Sequence, residues 1–141
     1  MIDIQLNTKL DLSNSVESIN LLTNKAQFNI NDVDYSQVDQ SLIIPIYRKE
    51  IIKFRKGFIY LNRKPIYGKG KKIEAIITVN NIISCDVKNR CDNKIEKITI
   101  LFGMQVDKNE IYICSSEENM GECLYEINIK VEGIDISIID L

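Results

Sequence analysis

The sequence predicts an all-β fold over residues 1–141: a single antiparallel β-sandwich, barrel or strongly twisted sheet with at most one short helix. Three observations predict it. The first is the kind of hydrophobe: 27 Ile and 7 Val stand against 10 Leu and only 2 Ala. β-Branched side chains lose rotamer freedom in a helix and pack well on a pleated sheet, whereas alanine is the best helix former. The second is order, which weighs more than composition because an AT-rich genome also enriches Ile, Asn and Lys. Several runs alternate apolar and polar residues with a period of two. The third is spacing. The runs follow one another closely with no helix of useful length between them, and short connections join antiparallel strands.

Taken in order, Ile2, Ile4 and Leu6 alternate with Asp3 and Gln5 as a strand would. Ser13 to Leu22 holds the best helix candidate, with Asn14 as its cap, Glu17 in capping-box position, and Val16, Ile19 and Leu22 on one face; a strand crossing the same region is the competing reading. Gln27 to Ile30 is a short strand, and Asn31 to Ser41 is polar and loop-like. Leu42 to Tyr47 is apolar, and Pro45 within it favours an edge strand. Ile51 to Leu61 breaks at Gly57, where a bulge or turn is expected. Ile73 to Val79 and Ile82 to Val87 flank Asn80-Asn81, which suggests a tight hairpin. Ile98 to Phe102 and Glu110 to Cys114 are further strands. Ile127 to Val131 and Ile134 to Ile138, separated by Gly133, read as a hairpin ending the chain.

The sequence contains no His and no Trp. Catalytic pairs that use an imidazole, histidine metal sites and histidine pH switches are therefore excluded within this chain. The four cysteines, Cys85, Cys91, Cys114 and Cys123, form no C-x2-C pair, so a zinc site is disfavoured. The N-terminus does not read as a secretory signal. No apolar run approaches the roughly 20 residues that span a bilayer. A cytoplasmic protein, or one released without a recognisable signal peptide, is expected. Thiols stay free in a reducing compartment. Cys85 and Cys114, inside strand-like runs, then read as small buried hydrophobes, with Cys91 and Cys123 more exposed; release from the cell would favour a disulfide. Asp32-Val33-Asp34 begins like a calcium loop but lacks the glycine and the closing glutamate. Gly68-Lys69-Gly70-Lys71 lacks the spacing of a phosphate loop. Neither a cofactor nor a metal is expected.

Charge is unevenly placed. Residues 48–72 carry ten Lys or Arg and one acidic residue, whereas residues 98–141 carry two basic and nine acidic residues. The candidate binding residues are Lys53, Arg55, Lys56, Arg63, Lys64, Lys69, Lys71 and Lys72, with Phe58, Tyr60 and Tyr67 interleaved. Such a segment can meet an acidic protein, anionic lipid headgroups or single-stranded nucleic acid. It can also be neutralised inside the fold by the acidic C-terminal strands. The acidic total, with a sequence pI of about 5.2, argues against a dedicated nucleic-acid binder.

The chain also resembles the small OrfX-type proteins encoded beside clostridial neurotoxins. The resemblance is carried by its length, its Ile/Asn/Lys-heavy β pattern, and the stretches Leu21-Leu22-Thr23-Asn24-Lys25-Ala26-Gln27-Phe28 and Phe54-Arg55-Lys56-Gly57-Phe58-Ile59-Tyr60. It implies an accessory protein without catalysis that works with larger proteins of the same gene cluster. The expected function is a non-enzymatic interaction domain of a bacterial, toxin-associated complex. The alternative is a peripheral module binding anionic membrane or lipid through residues 48–72.

Overall fold

The computed structural model describes residues 2–8, 12–49, 51–54, 57–60, 72–92, 94–117 and 122–141, with the backbone alone described in 51–54 and 57–60. The strands are β1 (Ile2–Asn7), β2 (Gln27–Asn29), β3 (Asp34–Ser36), β4 (Ser41–Lys49), β5 (Ile51–Phe54), β6 (Gly57–Tyr60), β7 (Lys72–Val79), β8 (Ile82–Asn89), β9 (Lys97–Asp107), β10 (Glu110–Ser116), β11 (Tyr125–Val131) and β12 (Ile134–Asp140). One helix, α1 (Val16–Thr23), completes them. Ten strands form one open sheet in the order β1-β12-β7-β4-β2-β9-β10-β11-β8, with β3 also on β4. The all-β expectation holds, with one correction to it. The sheet is mixed, because β1 runs parallel to β12.

Alternation explains which face each strand buries. In β4, Leu42, Ile44 and Ile46 are buried while Ile43, Pro45 and Tyr47 face outward; in β12, Ile134, Ile136 and Ile138 are buried. The same rule places Ile111, Ile113, Ile127 and Ile129 inside from β10 and β11. All of these belong to one apolar core. The β1-β12-β7-β4 half and the β9-β10-β11-β8 half therefore share that core, with the three-residue β2 bridging them between β4 and β9.

Two expected hairpins do not form. β7 pairs with β4 and β12, while β8 pairs with β11, so Asn80-Asn81 does not join paired strands. β11 and β12 are likewise unpaired with each other across Gly133. A type I′ hairpin needs positive φ at both central residues, and only Asn81 has it, at 59°. Each run bends instead and carries the chain from one half to the other. The two bends lie against each other: Asn80 N–H donates to the Asp135 carbonyl and Glu132 N–H to the Asn81 carbonyl, both at 2.9 Å.

Other expectations shift by smaller amounts. The helix cap is Ser15, whose side chain accepts from Ser18 N–H, and Asn14 instead accepts from Leu6 N–H. The stretch from Asn31 to Ser41 is not all loop, since it contains β3 and the end of a short 3-10 helix. β4 is an interior strand. Pro45 is tolerated there because β3 pairs with residues 41–43 and β2 with Tyr47, which leaves no ladder partner at Pro45 on that side among the described residues. At the break, β5 and β6 pair antiparallel as a separate two-stranded sheet, with Phe54 opposite Gly57, and the expected bulge or turn itself lies outside the described residues.

Helix α1 is held on β9 by an irregularity in that strand. Four steps of β9, from Leu101 to Gln105, face two steps of β10, from Cys114 to Tyr112. The extra residues bulge at Phe102 and Gly103, with φ of 62° and 71°. Asn20 Nδ2 donates to the carbonyls of Phe102 at 2.7 Å and Met104 at 3.2 Å, and Thr23 Oγ1 accepts from Met104 N–H at 2.8 Å. The bulge thus takes its missing hydrogen bonds from the helix.

Candidate functional site

Lys72 is the one cationic residue of the expected binding set with a described side chain. It opens β7, is exposed, and donates to Gln27 Oε1 at 3.1 Å. Lys53 lies on β5 opposite Phe58 on β6, and Tyr60 lies opposite Ile51. Arg55, Lys56, Arg63, Lys64, Tyr67, Lys69 and Lys71 lie outside the described residues.

Arg48, at the start of the basic segment, is not a surface cation. It is fully buried and forks onto Asp140 of β12, with Nε to Oδ1 at 2.9 Å and a second guanidinium nitrogen to Oδ2 at 2.6 Å. It also donates to the Lys49 carbonyl at 3.3 Å. The pairing is the bidentate geometry that guanidinium and carboxylate favour. For this residue, neutralisation by an acidic C-terminal strand is what occurs. The sequence held a signal for it: Arg48 has the parity of Leu42, Ile44 and Ile46, the buried positions of β4.

Lys49 and Lys72, which flank most of the basic segment in sequence, stand opposite each other at the ends of β4 and β7. Like charges placed so are mutually repulsive. Beside them is an open cleft of about 270 Å³ lined by Gln27, Phe28, Asn29, Tyr47, Lys72 and Lys97. Its described lining brings two ammonium groups, two amides and a phenol, and exposed Glu74 stands opposite Tyr47 in the ladder. Tyr47 also belongs to an apolar strip on the outer face. Pro45 of β4 faces Ile76 of β7, which faces Ile139 of β12, and Ile43 and Tyr47 flank Pro45. Tyr47 and Ile139 remain 45% and 42% exposed. A cationic cleft and an apolar strip therefore meet at one residue.

A second groove, of about 540 Å³, lies on the outer face of the other half. Asp86, Asn128, Tyr112 and Gln105 cross it as one row of the sheet register. The Tyr112 hydroxyl donates to Glu126 Oε1 at 3.1 Å, and Arg90 stands 3.5 Å from the same oxygen. Burial and this carboxylate push the Tyr112 phenol up, against the opposing effect of Arg90. Cys114 is not a free buried thiol, contrary to expectation. It is bridged to Cys123, with Cα atoms 5.7 Å apart, inside the range a disulfide spans. Cys85 and Cys91 are free and half-buried. Burial first, and then Asp86 for Cys85 and Glu117 for Cys91, push both thiols up, which makes them poorer nucleophiles at neutral pH.

Among the described residues, no group of three His, Cys, Asp or Glu is placed to hold a metal ion. No described helix is long and apolar enough to cross a membrane. No protein-family model, curated protein or solved structure matches the chain.

Proposed function

We propose that this chain is a non-enzymatic interaction domain of a bacterial, toxin-associated assembly, docking through the outer face of β4, β7 and β12 and the cleft at its end. The observation that carries the reading is the junction at Tyr47, where an exposed apolar strip runs into a cleft bearing Lys72 and Lys97. Protein interfaces are built from an apolar centre with an exposed aromatic anchor and a polar rim. An acidic protein surface with an apolar patch complements both parts, and Lys49, opposite Lys72, adds to the positive side. The resemblance to OrfX-type proteins points to a larger protein of the same gene cluster as the partner. The alternative is attachment to an anionic membrane, favoured by the same two lysines, which suit a phosphate headgroup.

The test is co-expression with each product of the neighbouring genes, followed by co-purification. Tyr47→Asp and the pair Lys72→Glu, Lys97→Glu are expected to weaken capture about tenfold or more each, the loss typical of interface anchors. A partner held equally well by both variants, or no captured partner, sinks the reading. Flotation on anionic vesicles that fails with neutral ones, and is abolished by the lysine pair, would move the function to the membrane alternative.

A further inference from the structure

The open sheet ends on β8, whose second edge has no ladder partner among the described residues. An uncovered edge of regular strand is a template for another strand. On this strand the core is also incompletely closed. Val87 stands opposite Ile127, which is completely buried, yet Val87 itself is 40% exposed. An apolar residue directly opposite a core position is thus left open to solvent along the free edge.

We propose that β8 pairs antiparallel with β8 of a second copy, with the two-fold axis at Val87. In a two-fold pair the same residues meet from both sides, so the charges on the strand select its register. Centring on Val87 sets Asp86 against Lys88 of the other copy, twice, and brings the two Val87 side chains together. Centring on Asp86 sets carboxylate against carboxylate, and centring on Lys88 sets ammonium against ammonium; like charges directly opposite are destabilising. Centring on Cys85 joins no opposite charges. The strand at the other end of the sheet, β1, carries Asp3 as its only charge and has no self-complementary register. A single strand pair buries less than a standard stable interface, so this dimer is weak and concentration-dependent. Its surface is separate from the Tyr47 face, and it stands or falls independently of the partner reading.

Sedimentation velocity on the full chain, in reductant and from micromolar to millimolar concentration, tests it. The wild type shifts reversibly from monomer to dimer. Asp86→Lys alone and Lys88→Asp alone each set like charges across the axis and weaken association about tenfold or more. An equimolar mixture of these two single variants regains dimer, because each then faces its opposite. Circular dichroism melts confirm that both variants are folded before they are mixed. A wild type that stays monomeric throughout overturns the proposal. So does a dimer insensitive to both substitutions, or a mixture no better associated than its components.

Discussion

At the scale of single residues, Arg48 and Asp140 show why a count of charges misleads. Arg48 belongs to a segment with nine net positive charges, yet it spends its charge inside the fold on a carboxylate from the last strand. A buried ion pair gains little over an apolar replacement, because both partners lose their hydration, but removing one partner strands the other. Asp140→Ala is therefore expected to cost about 3–5 kcal/mol, whereas Arg48→Met with Asp140→Leu lands much closer to the wild type. Urea unfolding of the three proteins measures both. Equal losses from the single and double changes would show that the pair itself stabilises the fold. The parity of β4 made Arg48 legible as an inward position. Its partner was not legible, because Asp140 is 92 residues away in sequence.

At the scale of elements, the meeting of α1 with β9 depends on a backbone conformation. Gly103 has a φ of 71°, and a Cβ built there would collide with the Asn20 carbonyl on the helix. Gly103→Ala is expected to destabilise by roughly 2 kcal/mol or more, from a strained dihedral plus a contact with backbone that cannot swing aside. The midpoint of urea unfolding reads this directly, and an unchanged midpoint would show that the helix shifts freely on the strand. The periodic run Ile98, Ile100, Phe102 predicted the strand but not its bulge. Strict alternation would bury Phe102, whereas the extra residues turn it outward to 65% exposure, with the Lys25 ammonium 5.9 Å from its ring centre. Gly103 is a local mark of a bulge, but the supply of its lost hydrogen bonds by Asn20 and Thr23, about 80 residues away, is not legible in the run itself.

At the scale of the whole molecule, the displaced titrations among the described residues gather on the second half of the sheet. Burial, then the neighbouring Cys85 and Cys91, pushes the Tyr125 phenol up, as burial does each of those thiols. A proton held more tightly in the folded state than in the unfolded chain stabilises the fold below the unfolded titration point, and that stability is lost as pH rises through the folded one. Global stability is thus expected to be level near neutral pH and to decline above the ordinary thiol value of 9.0 and phenol value of 10.0. Urea midpoints across that range check it, and Cys85→Ser with Tyr125→Phe should flatten the decline. A double variant with the wild-type slope would place the titrating groups elsewhere.

What the sequence determined by itself was the material of the fold. Stiff, branched side chains at every second position commit the chain to strands with one apolar face, and the missing histidines remove whole classes of chemistry. These are local properties, settled by a residue and its near neighbours. What only the tertiary structure decided was which strand lies beside which. Asn80-Asn81 and Glu132-Gly133 carry the chain between halves of the sheet because the shared core and the paired bends outweigh a local turn preference. The same long-range choice buries Arg48, aligns Pro45, Ile76 and Ile139 across three strands, and leaves β8 at an edge. A surface made of three strands exists only once they are adjacent, and adjacency depends on burying the common core rather than on any stretch of the chain alone.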